Sequence, residues 1–339
     1  MELSRVDTHP IGADGRPVVA GVRMVDRQVS DQTRVMLAAA IRPNTARAYT
    51  YAWTRFTGWC DEQGRGALPA TAETLAEYVA TLIGNAAAPA SIDQALAVVQ
   101  RRHRDQGLTS PDTAAARLLL RAYRRTRAEQ GKTVRRSAPV TVEPLRAMVD
   151  AAGPVDSPAG LRDRLLLVLG FSLMARRSEL VGLDLADVVE VPEGLEVAVR
   201  TSKTDRDSAG AVVPVPFGSD PSLCPVRLYR AWAAMLAEHG VTGGPLLRRV
   251  DRHGNIGGRL TGDGVRRILQ TLGVRAGLPA GQIPTPHGLR AGGATSAARA
   301  GAPVSAITRQ GRWAEGSPVV HAYIRTVDQW REHPLRGVL

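Results

Sequence analysis

Four segments in the second half of the 339-residue chain carry side chains whose types and spacing could do chemistry. Met174 to Leu180 (MARRSEL) follows the apolar run Leu165–Leu173. An arginine at the end of a buried helix, here Arg176, is costly unless something anionic meets it. The anion could be a ligand. It could also be Glu179, at helical i, i+3 spacing, and taken alone the internal ion pair is the better reading. The second segment holds Lys203. Of the 44 Lys and Arg residues only Lys132 and Lys203 are lysines. A lysine kept where arginine is otherwise used suggests a proton to give, which arginine effectively cannot do. A plain surface lysine is the competing reading. The third segment, Thr285 to Thr295 (TPHGLRAGGAT), places His287 and Arg290 at i, i+3 near the positive N-terminus of a helix opened by Pro286. Such a pair offers a phosphate two donors, one of them bidentate. A helix-capping histidine and a solvated arginine would look the same. In the fourth, Gly311-Arg312-Trp313 is followed ten residues on by Tyr323, between His321 and Arg325. Trp313 could donate its indole N–H to an oxygen or simply pack. A core role is the default for Tyr323, but its charged neighbours are unusual company for one. Tyr229, the other tyrosine beyond residue 140, sits among apolar residues and reads as core.

The elements that must position these residues can be read from periodicity. Asn44-Thr45 can cap a helix to about Gln63, with Tyr49, Trp53, Phe56 and Cys60 on one face. Further helices are expected from near Thr71 (Leu75, Tyr78, Val79, Leu82), over Ser91 to Gln106, and from Ser110-Pro111-Asp112 to Gln130. Four helices make a small all-α domain over 31–130, preceded by a flexible polar tail, 1–30. The fourth helix ends in Arg121, Arg124, Arg125 and Arg127. The basic stretch Gly131 to Pro139 closes on a proline that cannot continue a helix, which puts a linker at 131–140. The second domain, 141–339, should hold helices at Val142–Ala152, Ser157–Leu169 and Arg177–Leu183. Leu195–Thr201 alternates and Ala211–Pro216 is β-prone, so a β-hairpin is expected, with Lys203 in its polar tip. Helices resume over Cys224–Gly240, Asp263–Ala276, His287–Ala300, Pro303–Arg309 and Ser317–Tyr323, with a last short one to about Arg331. The fold class is mainly α with a small β-sheet or hairpin.

Composition narrows the function. Apolar residues make up 44%, enough for a sizeable core, and the net charge of +12 suits a polyanionic partner, although a basic protein of ordinary arginine-rich composition would share it. Cys60 and Cys224 lie far apart without metal or disulfide spacing and fit a reducing cytoplasm. No run of 18 apolar residues suggests a membrane span. No Walker loop or acidic cluster suited to magnesium is present.

Together the four segments resemble the tyrosine recombinase, or phage integrase, family. The order Arg176, Lys203, His287-x-x-Arg290, Trp313, Tyr323 matches the family pattern Arg, Lys, His-x-x-Arg, His/Trp, Tyr. The likeness runs from about Asn44 to Tyr323. Three features depart from the pattern: Met174 stands where a glycine is usual, Trp313 where histidine is commoner, and the Trp313–Tyr323 interval is one residue longer. The resemblance implies a core-binding (SAM-like) helical DNA-binding domain at 31–130 and a mixed, mostly helical catalytic domain. It implies site-specific recombination through a 3′-phosphotyrosine on Tyr323, without metal, ATP or another cofactor. Arg176, Arg290 and His287 would hold the non-bridging oxygens, Lys203 would protonate the leaving 5′ oxygen, and Trp313 would support the phosphate or Tyr323, with Glu179 supporting Arg176. Arg47, Arg121, Arg124, Arg125, Lys132, Arg135 and Arg136 are the expected DNA contacts. The implied partners are a double-stranded recombination site and three further copies of the chain, in a tetramer on DNA. The free protein would be a monomer or weak oligomer in the bacterial cytoplasm, at the nucleoid when bound and with no membrane contact. Thr326–Leu339 could dock on a neighbouring protomer. A type IB topoisomerase-like nicking-closing enzyme and an inactive DNA-binding regulator are the alternatives.

Overall fold

The computed structural model describes residues 30–40, 43–132, 137–200, 210–323, 335 and 338. Lys203, Arg135, Arg136, nearly all of the expected tail and the helix expected after Tyr323 lie outside them, and of Thr326–Leu339 only Leu335 and Val338 are described. The chain separates into two compact units, Met1–Val134 and Arg135–Leu339.

The first unit contains helices α1 (Asp31–Ala39), α2 (Pro43–Glu62), α3 (Ala72–Gly84), α4 (Pro89–Asp105) and α5 (Ala114–Glu129). Helix α1 is additional to the four expected. Its Val35 and Met36 are exposed. Thr71 caps α3 by accepting the Thr74 amide at 3.2 Å. Phe56, Cys60, Leu75, Tyr78, Val79, Ile92, Leu96 and Leu120 form the core. His103 is fully buried there; its Nε2 faces the Ala70 amide at 2.9 Å and its Nδ1 the Val99 carbonyl at 2.8 Å. The backbone can only donate at Ala70 and accept at Val99, so the ring is the Nδ1–H tautomer with both nitrogens satisfied. Helix α5 starts three residues later than Pro111 suggests. Ser110 is tied to the Gln100 carbonyl at 3.2 Å, and Asp112 accepts the Ala114 amide at 2.9 Å.

The second unit is built around α7 (Pro158–Ser172), whose residues Leu165 to Leu169 are buried on every side. The helices α6 (Val142–Asp150), α8 (Arg177–Gly182), α9 (Pro225–Glu238), α10 (Gly262–Arg275), α11 (Pro286–Arg299) and α12 (Val304–Gly311) complete its helical part, with residues 318–323 also helical. The expected hairpin is part of a three-stranded antiparallel sheet, β1 (Val188–Val191), β2 (Gly194–Val199) and β3 (Ala211–Pro216), in the order β1-β2-β3. A second hairpin joins β4 (Arg248–Val250) to β5 (Ile256–Arg259). Strands β2 and β3 pair up to Val199–Ala211. Just past that pair, Arg200 donates to Asp187 at 2.7 Å and to Asp184 at 2.9 Å. These contacts fix Arg200 at the end of β2. Tyr229 donates to the Val188 carbonyl at 3.3 Å, a structural tie to β1. Cys60 and Cys224 are buried free thiols. Among the described residues no helix is long and apolar enough to cross a membrane.

Candidate active site

The small residues of α11 explain how its N-terminus is held. A Cβ on Gly292 would lie 1.8 Å from the Val140 carbonyl oxygen, so only glycine lets residues 137–140 lie against the helix. The Val140 amide donates to the Gly288 carbonyl at 2.9 Å, and Thr285 bonds Ser137 at 2.7 Å. The helix is thereby fixed with Pro286 in its first turn, and His287 and Arg290 follow at i, i+3.

Arg290 is 2% exposed. Its Nη1 donates to the Met174 carbonyl, its Cζ lies 3.8 Å from the centre of the Trp313 ring, and its Nη2 has no hydrogen-bond partner among the described residues. Burial, with the charges of Arg176 and Arg312 beside it, brings its pKa down to about 9, against the pull of Glu179 and Tyr323. It stays charged at neutral pH. A buried cation with a donor to spare can accept an anion without breaking an existing bond.

His287 Nε2 and the Tyr323 hydroxyl are 2.6 Å apart. Burial first, then the charges of Arg290 and Arg176, lower the His287 pKa. Both effects favour the neutral imidazole. The sequence assigned His287 to the phosphate oxygens; in the DNA-free protein it contacts the hydroxyl instead. The Trp313 ring lies 6.1 Å from that of Tyr323. A Cβ on Gly311 would fall 1.7 Å from Trp313 Cζ3, so this glycine is what lets the indole fold back over the end of α12.

Arg176 and Glu179 do form the ion pair that the sequence suggested, at 2.6 Å. Glu179 also accepts the Arg176 amide at 2.9 Å and Arg312 Nη2 at 2.8 Å. Burial alone would raise its pKa. The Arg312 charge, the Arg176 amide and the bonds from both guanidinium groups outweigh burial and hold it at about 2. A carboxyl depressed in the folded state stabilises above its ordinary pKa, and that stability is lost as pH falls through the folded value. Lowering the pH from about 5 to about 2 should therefore remove up to about 3 kcal/mol from the wild type. Glu179→Gln should lose a similar amount at pH 7 and show a flatter acid limb. Urea unfolding at pH 7, 4 and 3 measures both; parallel acid slopes would contradict this role.

Met174 has φ +45°, in left-handed backbone, with its side chain buried against Ala294, Ala298, Ile307 and Val320. Its departure from the usual glycine thus exchanges backbone ease for a packed core beneath Tyr323. Relief of the left-handed backbone is worth about 1–2 kcal/mol, and loss of a buried methionine costs about 2–5 kcal/mol. Met174→Gly should accordingly destabilise by about 2 kcal/mol, read as a lower denaturation midpoint. A midpoint unchanged or raised would show that strain dominates.

Two residues of this site carried no assignment from the sequence. Gln310 bonds the carbonyls of Ser172 and Pro214, at 2.9 and 3.1 Å, and so ties α12 to both α7 and β3. Arg312 joins α12 to the Leu173 carbonyl and to Glu179. A long polar side chain at a helix C-terminus, where glycine is the usual terminator, was the available signal. Of the expected DNA contacts, Arg47, Arg121, Arg125 and Lys132 are exposed on the first unit. Arg124 is also exposed but is paired with Asp93 of α4, so it links helices as well.

Residues 140–329 match the model of the phage integrase family. An integrase/recombinase XerD homologue of Selenomonas ruminantium is 29% identical over 294 residues, 86% of this chain and 84% of that protein. The tyrosine recombinase XerD of Mycobacterium tuberculosis is 30% identical over 289 residues, 79% of this chain and 82% of its own. A crystal structure of a lambda integrase dimer bound to a core site shares the fold, with a TM-score of 0.57 at 17% identity, covering 87% of this chain and 93% of that one. Family match, relatives and a tyrosine set beside a histidine and a buried arginine agree: the chain belongs to the phage integrase family and is a tyrosine recombinase.

Proposed function

We propose that this recombinase cuts and rejoins double-stranded DNA with Tyr323 as nucleophile. The observation that carries the reading is the 2.6 Å contact between the Tyr323 hydroxyl and His287 Nε2, beside the partly unsatisfied Arg290. Tyr323 Oη attacks the scissile phosphorus as its proton passes to neutral His287. Arg176 and Arg290 neutralise the non-bridging oxygens, and positioning with electrostatic stabilisation supplies most of the acceleration. The 5′ oxygen leaves with a proton from Lys203, and a 3′-phosphotyrosine remains. Trp313 buttresses Arg290 and the nucleophile helix. A 5′-hydroxyl from another duplex reverses the step and regenerates tyrosine, with no net bond energy lost. These residues need neither metal nor nucleotide for the exchange.

The first unit is read as the core-binding domain and the second as the catalytic one. Arg47, Arg121, Arg125, Lys132, Arg135 and Arg136 supply phosphate contacts, so affinity falls with salt. Exchange between two duplexes needs four nucleophiles, hence a tetramer on DNA. The test is strand transfer in EDTA between labelled duplexes taken from the flanks of the gene. Recombinant strands are expected. Supercoil relaxation without exchange would move the reading to a nicking-closing enzyme. Tight binding without any covalent product, even on nicked substrates, would reduce the chain to a regulator.

A further inference from the structure

We propose that Arg312 is a positioning residue that sets Arg176 and Trp313 in one geometry around the scissile phosphate. The inference rests on the catalytic role given above to Arg176. Helix α12 ends in a left-handed turn: the Arg312 amide donates to the Arg309 carbonyl at 3.1 Å, and the Trp313 amide to the Thr308 carbonyl at 3.0 Å. Arg312 holds that turn with φ 55° and ψ 43°. Glycine meets this backbone requirement best, so the backbone does not explain the arginine. The side chain does. It is 7% exposed, and both of its terminal nitrogens are engaged in contacts within the protein. Nη1 donates to the Gln310 carbonyl at 2.8 Å, and Nη2 to the Leu173 carbonyl at 3.1 Å and Glu179 Oε2 at 2.8 Å.

Those contacts converge on Arg176 from three directions. Leu173 begins the turn that leads into it. Glu179 is the carboxylate that holds its guanidinium and its amide. The Arg312 carbonyl itself accepts Arg176 Nη2 at 3.4 Å. On the other side, Trp313 follows Arg312 directly and lies under the Arg290 guanidinium. Arg290 in turn donates to the Met174 carbonyl, in the same turn as Arg176. One side chain therefore locks the turn carrying Arg176 to the turn carrying Trp313. Without it, Gln310 and the Arg312 carbonyl would still join the two turns, but Glu179 would lose its direct tie to the α12 terminus and Arg176 would be held less tightly there. A guanidinium held for one phosphate geometry loses most of its effect when displaced by about 1 Å.

Arg312→Gly separates the side chain from the backbone, since glycine keeps the left-handed turn without strain. The measurement is single-turnover formation of the covalent complex on a nicked duplex, beside the Kd for the same DNA. Both are repeated with a neutral methylphosphonate at the scissile position. Arg312→Gly should slow cleavage of the phosphodiester by about a hundredfold, with Kd within about twofold of wild type. The slowdown should shrink to under about tenfold on the methylphosphonate, because Arg176 then has no anionic oxygen to neutralise. Arg312→Lys, which restores a charge to Glu179 but not the forked contacts, should recover part of the rate, and carries the same comparison if Arg312→Gly does not fold. A rate within about twofold of wild type, or an equal slowdown on both substrates, would overturn the proposal. Arg176→Ala runs beside them. If it cleaves like wild type, the role of Arg176 falls and the latch falls with it; if it is inactive while Arg312→Gly is not, the latch alone falls.

Discussion

Tyr323→Phe should form no detectable SDS-resistant protein–DNA complex while binding the same DNA with nearly wild-type affinity. The substitution removes one oxygen and keeps the ring, which lies beside Trp313 over a small cluster that includes Val320 and Met174. With that oxygen goes the hydrogen bond to His287 Nε2. Loss of a partly exposed hydrogen bond costs the fold about 1 kcal/mol or less. The chemical cost is of another order, because the attacking oxygen itself is gone. Tyr229, the other tyrosine of the second unit, is tied to the Val188 carbonyl of β1, and among the described residues neither serine nor threonine is placed against His287 Nε2. Thermal unfolding and salt-dependent DNA binding should therefore match the wild type, while the covalent band vanishes. A band that persists in Tyr323→Phe, mapped by proteolysis to another residue, would end the assignment of Tyr323 as nucleophile.

The residues of this site were legible in the sequence because the chemistry restricts residue type: two arginines, a histidine and a tyrosine keep their identity and order whatever packs around them. Local elements with a period were also legible. Thr71 announced α3, and the alternation from Leu195 announced β2. What escaped notice depends on distant partners. Strand β1 alternates poorly, because Val189 and Glu190 are both exposed at the sheet edge. The β4–β5 hairpin reads as charged and glycine-rich, and what holds it is not local. Arg162 of α7 donates to the Arg248 carbonyl at 2.6 Å, and Arg259 to the Val181 carbonyl at 2.7 Å. Arg312 was hidden for the same reason. In the sequence it is one of many arginines, and its meaning comes from Leu173 and Glu179, more than 130 residues away in the chain. The ambiguity at Arg176 dissolves in a similar way. The ion pair with Glu179 is present, and it is compatible with the phosphate-binding role proposed above, since such a pair can aim a guanidinium.

Arg290→Met should make the protein more stable and nearly inactive at once. Arg290 is buried, its guanidinium contacts a carbonyl and an indole face, and Nη2 lacks a hydrogen-bond partner among the described residues. No carboxylate among them bonds it directly; Glu179 is occupied by Arg176 and Arg312. The depressed pKa states the same penalty. A base whose pKa is lowered to about 9 binds fewer protons than the unfolded chain above that pH. The penalty is thus fully present below about pH 9 and fades only as pH rises toward the ordinary arginine value. At pH 7 methionine, apolar and of similar length, removes all of it and leaves the Met174 carbonyl without its donor, a loss of about 1 kcal/mol. Replacing a poorly compensated buried ion with a packed apolar side chain gains about 1–4 kcal/mol. The balance favours the variant by about 1–2 kcal/mol. Cleavage should fall by about 10²–10³-fold, the usual effect of losing one donor to a developing oxyanion. Denaturant midpoints and single-turnover cleavage on one duplex read the two signs together. A variant that loses stability as well as activity would make Arg290 a packing residue whose inactivity follows from a damaged fold. Opposite signs would identify a residue that the free protein tolerates at a cost because the phosphate completes it.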